Sequence, residues 1–166
     1  MKQSQIRRDL ANNQFPDLTH NLSLVENSLS NAMAGARVLV ADQDALTSEL
    51  LRSLNGREGY RIVSVSDGRE AFRVLKADAD FHVAILNIAM PHLHGVDIVK
   101  YMKTEKRLMR IPVVLISGEG DAKTVAECFS AGAIALLPKP FTAKQLHRTL
   151  RLALNSAGRA EVRRAA

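Results

Sequence analysis

Polar side chains stand at or just after the ends of four short apolar runs of this sequence. Asp42 and Gln43 follow the first run, Asn87 the third, Ser117 the fourth and Lys139 the fifth. Carboxylate oxygens suit a hard cation such as Mg²⁺, whereas a carboxamide is neutral and a poor nucleophile. The chemistry available to these positions therefore depends on whether the fold brings them together, and on which residue type stands at each strand end.

The apolar runs predict the strands that position these side chains. They are β-branched or leucine-rich without clear alternation, as in a parallel sheet covered on both faces, and they span 38–41, 61–65, 83–86, 112–116 and 133–137. Asp44, Asp67 and Thr142 mark helix starts after the first, second and fifth runs, the last two as capping boxes with Glu70 and Gln145.

A fourth helix is indicated by Val125, Ala126 and Phe129. Five strand–helix units predict a flavodoxin-like, doubly wound α/β fold, (βα)5, with a five-stranded parallel sheet. In such folds ligands gather at the carboxyl ends of the strands, so the polar positions are expected to meet at one edge of the sheet.

Three segments are expected along the chain. Residues 1–34 form an N-terminal extension that is predicted to be partly helical, because Leu18, Leu22, Val25 and Leu29 share one helical stripe. That stripe serves either packing on its own domain or homodimerisation and partner docking. The folded domain is expected over 35–156, and 157–166 is expected to be a basic tail after the last helix.

The net charge of +6 is concentrated at the C-terminal end of the chain. Residues 139–166 carry seven bases and one acid, while bases and acids balance in the rest. The tail has no aromatic residue for base stacking, and no room for a helix-turn-helix follows it, so sequence-specific DNA binding is not expected. Nonspecific phosphate contact stays an alternative. A single cysteine and the lack of a membrane-spanning apolar run favour a cytoplasmic protein.

The region from Arg37 to about Ser156 resembles the receiver domain of bacterial two-component response regulators. The resemblance rests on four pieces in order, each at a predicted strand end: VLVADQD from Val38, LNIAMPHLHG from Leu86, ISG from Ile116 and PKPF from Pro138. It covers some three-quarters of the chain and implies the fold that the apolar runs predict.

The resemblance implies roles for individual positions. In receivers of this kind, an aspartate at the position of Asn87 accepts a phosphoryl group from a histidine kinase, and two acidic residues after the first strand hold Mg²⁺ beside it. Asp42 matches the first acidic residue, Ser117 the hydroxyl that senses the phosphoryl oxygen, and Lys139 the lysine that neutralises charge on the transferring group.

Three departures from the family pattern are expected to matter. Asn87 replaces the phosphate-accepting aspartate, and Gln43 replaces the second acidic residue. Leu136, three positions before the lysine, replaces the aromatic switch residue of many receivers. No catalytic residue and no cofactor are therefore expected, and Mg²⁺ binding should be weak or absent.

Expectations for the remaining side chains follow from these losses. If Mg²⁺ did bind, its ligands would be Asp42, Asn87 and the backbone of Ala89. We expect Lys139 to pair with Asp42, and Asn87 to satisfy the cavity by hydrogen bonds. Asp44 is expected to cap a helix and to point away from the site.

The function predicted is a stand-alone atypical receiver that signals by protein contacts without aspartate phosphorylation, and that is not an enzyme. Its expected partners are a histidine kinase, another response regulator or a second copy of itself. One alternative is a phosphorylatable, Mg²⁺-dependent receiver carrying an Asp-to-Asn change at position 87, which would leave Gln43 unexplained. The other is a small nucleic-acid-associated protein that uses its basic C-terminal end.

Overall fold

The computed structural model describes residues 35–118 and 120–165, without the side chains of 56–58 and 158–165. The predicted N-terminal extension and its leucine stripe lie outside the described residues. Within the described part, no helix is both long and apolar enough to cross a lipid bilayer.

All five predicted strands form, and they pair in parallel. They are β1 Arg37–Ala41, β2 Arg61–Val65, β3 Val83–Asn87, β4 Val113–Ser117 and β5 Ala135–Pro138. Their order in the sheet is β2-β1-β3-β4-β5, which is the flavodoxin-like order with a reversal between β1 and β3. The predicted fold class is confirmed.

Five helices follow the strands in turn. They are α1 Ala45–Glu58, α2 Gly68–Ala77, α3 Gly95–Thr104, α4 Ala122–Ala131 and α5 Ala143–Ala165. The prediction of a basic tail after the last helix is wrong, because the backbone of α5 stays helical to Ala165. No glycine cap or proline stops the helix before that point; Gly158 lies inside it.

The starts of α1 and α5 show the predicted capping hydrogen bonds. Asp44 Oδ1 accepts a hydrogen bond from the Leu46 N–H over 2.9 Å, so one free backbone donor of α1 is satisfied. Thr142 and Gln145 form a reciprocal capping box, in which each side chain accepts from the other residue's N–H, over 3.2 and 2.8 Å.

The hydrophobic core has two layers, one on each face of the sheet. Alternate residues of the central strands enter opposite layers: Leu39 and Leu86 pack towards α2, α3 and α4, while Val40 and Ile85 pack towards α1 and α5. All four are at most 1% exposed, and full burial of such a side chain is worth about 1.5–3 kcal/mol. The two covered faces explain why the strand sequences lack alternation.

The buried face of α4 does not include every residue that indicated the helix. Cys128 and Ala131 are buried there, whereas Phe129, one of the residues that indicated the helix, is 48% exposed. Cysteine and alanine are small enough for α4 to lie close to the sheet, so the buried face carries little of the apolar signal in the sequence.

Candidate functional site

The sheet brings the polar strand ends together as expected. Strand β3 lies between β1 and β4, and β5 pairs with β4, with Ser117 opposite Pro138 in the register. Asp42 and Ser117 are nearly inaccessible to solvent, as is Asn87, which is 7% exposed. We call the cluster of Asp42, Asp44, Asn87, Ser117 and Lys139 the Asn87 pocket.

Both ends of the Asn87 carboxamide are hydrogen-bonded. Its Nδ2 donates to Asp42 Oδ1 over 2.8 Å, and its Oδ1 accepts from the Ala89 N–H over 3.1 Å. The Asp44 N–H donates to the same Asp42 Oδ1 over 3.2 Å. A carboxylate cannot donate, so this pattern needs the amide at position 87.

Lys139 supplies the positive charge of the pocket. Its Nζ lies 2.8 Å from Asp42 Oδ2 and 3.1 Å from Asp44 Oδ2, and its side chain is 21% exposed. The Lys139 N–H donates to the Ser117 carbonyl oxygen over 2.7 Å, which ties the β5 end to the β4 end. Burial alone would lower the pKa of Lys139, but contacts with Asp42 and Asp44 outweigh it, so the pKa is raised.

The expectation that Asp44 points away from the site is wrong. Its Oδ1 caps α1 as predicted, while its Oδ2 contacts Lys139 Nζ. The Leu46 N–H and then the Lys139 ammonium hold the pKa of the Asp44 carboxyl below its usual value. Sequence reasoning treated cap and pocket as exclusive, but the two oxygens of one carboxylate serve both.

The loop after β3 folds back tightly beneath Asn87. The Gly95 N–H donates to the Ile88 carbonyl oxygen over 3.1 Å, and the Ile88 N–H donates to the Ile116 carbonyl oxygen over 2.9 Å. A Cβ on Gly95 would overlap the carbonyl oxygen of Asn87, so only glycine fits at the start of α3. The loop thereby fixes the backbone that carries the Asn87 side chain.

Comparison with known proteins identifies the family. The model of the response regulator receiver domain matches residues 38–151, more than half of the chain. This chain belongs to the response regulator receiver family. Receiver domains are signalling modules that interact with histidine kinases and other response regulators, and in general they are not enzymes.

Curated relatives and solved structures agree with this assignment. Chemotaxis protein CheY1 of Helicobacter pylori is 31% identical over 121 residues, which are 72% of this chain and 98% of CheY1. The two-component response regulator ORR3 of rice is 32% identical over 67% of this chain and 85% of its own length. The structure of Vibrio cholerae CheY4 superimposes with a TM-score of 0.66 at 27% identity, covering 73% of this chain and all of CheY4.

The other departures of this receiver from the family pattern also have defined places. The Gln43 side chain is exposed beside the buried Asp42. Leu136 is partly buried and packs against the core layer under α2, α3 and α4. An aliphatic side chain there has no polar tip that could exchange between core and solvent.

The donor set of this receiver does not fit Mg²⁺. That ion demands near-octahedral oxygen ligands, usually including carboxylates. Asp42 Oδ1 already accepts two hydrogen bonds, its Oδ2 faces the Lys139 ammonium, and Asn87 Oδ1 is turned towards Ala89. Among the described residues, no three His, Cys, Asp or Glu side chains are arranged to hold a metal ion. The Lys139 ammonium lies between the two carboxylates, where an added cation would meet repulsion.

Proposed function

We propose that this receiver domain acts in two-component signalling in the cytoplasm by protein contacts, without phosphorylation at position 87. The hydrogen bond from Asn87 Nδ2 to the buried Asp42 carries this proposal. The Asn87 side chain at this strand end is a hydrogen-bond donor and not a nucleophile, because the lone pair of its amide nitrogen is delocalised.

Charge balance in the pocket supports the same function. The Lys139 ammonium contacts two carboxylates, so the pocket holds a cation supplied by the chain itself. In phosphoryl transfer, a lysine and a metal ion share the neutralisation of the transferring group. Here the lysine is already engaged, and the metal ligands do not fit. We infer that the side chains of the Asn87 pocket keep one arrangement and do not switch between two states.

A fixed receiver needs an exposed surface for its partner. Phe129 on α4 and Leu152 on α5 are 48% and 61% exposed, so each of the last two helices presents an apolar side chain to which a partner could bind. The partner would be a histidine kinase, another response regulator or a second copy of this chain.

The test is incubation of the protein with acetyl phosphate and Mg²⁺, followed by intact-mass measurement. We expect no phosphoryl adduct on the protein as it stands. The matched variant carries Gln43→Asp and Asn87→Asp together, restoring both carboxylates, and we expect it to acquire one phosphoryl group. A stoichiometric phosphoryl adduct on the unaltered protein would contradict the proposal.

A further inference from the structure

Helix α5 carries a row of basic side chains on the side that faces away from the sheet. The row has four polar positions at spacings of four, three and four residues: Lys144, Arg148, Arg151 and Asn155. These spacings place them on one side of the helix over a length of about 17 Å. The side chains that α5 buries in the core, Leu146, Leu150 and Ala153, lie on the opposite side. We call the row the basic face of α5.

The bases of this face have no partner in the described part of the chain. Lys144 and Arg148 are exposed and Arg151 is half-buried, and none of the three forms an ion pair or a side-chain hydrogen bond with the described residues. Solvated faces usually mix the two signs of charge, as on α3, where Lys100 lies 4.0 Å from Asp97. Residues 139–166 instead carry seven bases and one acid. The positive charge of α5 is therefore available to a ligand.

The helix also continues past the region that matches the family. The receiver domain model matches residues up to 151, whereas the backbone of α5 is helical to Ala165. Positions 159 and 163 follow Asn155 at the same spacing of four residues, and the sequence has arginine at both. The receiver fold alone does not require this continuation of the basic positions.

We propose that the basic face of α5 binds the phosphate backbone of nucleic acid without sequence preference. Interfaces with nucleic acid are polar and strongly positive, whereas the centre of a protein interface is apolar and depleted in charge. The four described positions of the basic face include no apolar side chain. Most bases of α5 are arginines, whose guanidinium groups pair with phosphate through two parallel hydrogen bonds.

The same helix lacks the means to read bases. It has no Phe, Tyr or Trp on which a base could stack, so its contacts are with phosphates. Binding of this kind depends on charge and therefore on the salt concentration. The proposal goes beyond the function in signalling and uses no residue of the Asn87 pocket.

The experiment is a titration of a fluorescent DNA duplex with the full chain, measured by anisotropy between about 50 and 200 mM salt. Each phosphate contact releases condensed counterions, so log Kobs should fall linearly with log[salt], with a slope of about −3 to −4 for about four contacts. Two duplexes of unrelated sequence should bind equally. Absence of binding at about 50 mM salt, or binding to only one of the duplexes, would overturn the proposal.

A double variant assigns the binding to the face. Arg148→Gln with Arg151→Gln removes two bases and keeps a similar helix propensity. We expect the slope to become less steep by about two, and binding at about 50 mM salt to weaken at least about tenfold. Arg148→Lys with Arg151→Lys keeps the charge and should keep the slope. An unchanged slope in the glutamine variant would contradict the assignment.

The matched control removes the same charge from the other side of the sheet. Arg69 and Arg73 are exposed on α2, which packs on the core layer opposite to that of α5. Arg69→Gln with Arg73→Gln should leave the slope within about half a unit of wild type. Equal losses in the two glutamine variants would show that net charge, and not the basic face, causes binding, and would overturn the proposal.

Competition separates nucleic acid from an acidic protein as the ligand. At equal concentration of negative charge, unlabelled duplex should displace the labelled DNA at least about tenfold more effectively than polyglutamate does. Equally effective displacement by polyglutamate would assign the basic face to an acidic protein and overturn the proposal. The readout is DNA binding and not protein mass, so this test can fail independently of the phosphorylation test above.

Discussion

Asn87 donates a hydrogen bond from its amide nitrogen to Asp42 Oδ1 over 2.8 Å, and both side chains are buried. The relationship depends on the single atom that distinguishes asparagine from aspartate. With an aspartate at position 87, two carboxylate oxygens would face each other at this distance, and a proton or a cation would be needed between them.

Replacing Asn87 with aspartate should therefore destabilise the protein and create a response to metal. We expect Asn87→Asp to lower the free energy of unfolding at pH 7 by about 1–3 kcal/mol, because Asp42 loses a donor and gains a like charge. Millimolar Mg²⁺ should restore part of this loss in the variant, while raising the melting temperature of the unaltered protein little. Urea denaturation measures the loss in the variant and its recovery with Mg²⁺, and thermal unfolding with and without Mg²⁺ measures the melting temperature of the unaltered protein.

The control for this substitution is Asn87→Ala, which removes the donor without adding charge. It should be destabilised too, but Mg²⁺ should not rescue it. If Mg²⁺ stabilised the unaltered protein as strongly as Asn87→Asp, our account of the pocket as a poor metal site would be wrong.

Lys139 should be essential to the stability of the pocket. Lys139→Met leaves Asp42 buried without a countercharge, and we expect a loss of about 2–4 kcal/mol; Lys139→Arg, which keeps the charge, should lose less. Because the pKa of Lys139 is raised in the fold, its contribution to stability is fully present below the unfolded-state pKa. That contribution is lost as the pH rises through the folded-state pKa. The stability gap between wild type and Lys139→Met should stay open at neutral pH and narrow only in strong alkali.

The sequence predicts the sheet well, because the strands are short and mostly apolar runs, and because α1, α2 and α5 begin after capping residues that the sequence identifies. Prediction from the sequence fails where tertiary contacts decide which side chains are buried. The buried face of α4 is formed by Cys128 and Ala131, which periodicity cannot separate from the exposed Phe129. The sequence does not distinguish Lys103 from the other lysines. In the fold its Nζ donates to the Ile111 carbonyl oxygen, and its methylene stem lies beside Gly132.

The sequence predicts four members of the candidate site and the contact between Lys139 and Asp42, but not the contact of Asp44 with Lys139. Asp42, Asn87, Ser117 and Lys139 are identified by their places at strand ends, which parallel pairing then brings together. That Asp44 also contacts Lys139 depends on the rotamer of a capping side chain, which local sequence does not specify.

The ion pair of Asp44 can be separated from its helix cap by an asparagine substitution. An asparagine at this position would still cap α1, so Asp44→Asn removes mainly the attraction to Lys139, and we expect a loss of about 0.5–1 kcal/mol at pH 7. Because the pKa of Asp44 is lowered in the fold, its contribution is present above the unfolded value of about 3.9 and lost as the pH falls through the folded value. The difference in the free energy of unfolding between wild type and Asp44→Asn should therefore approach zero at acid pH.

Asp121 provides the matched control for Asp44. It caps α4 by accepting from the Thr124 N–H over 2.9 Å, and no ammonium pairs with it among the described residues. Asp121→Asn should therefore cost less at pH 7 than Asp44→Asn. Equal losses in pH-dependent urea denaturation would show that the Lys139 contact adds nothing to the cap.

The turn beneath Asn87 should tolerate no side chain at its closing residue. Gly95→Ala places a Cβ against the Asn87 carbonyl oxygen, which is backbone and cannot move without shifting the strand end, so we expect a loss of about 1–3 kcal/mol or more. Gly118→Ala is the matched control, since nothing lies within 4 Å of its added Cβ, and it should stay within about 0.5 kcal/mol of wild type. The denaturation midpoints of the two variants, compared with that of wild type, test this prediction. Equal stability of the two variants would mean that the loop can move away from Asn87, and then the pocket geometry would no longer be fixed by its backbone.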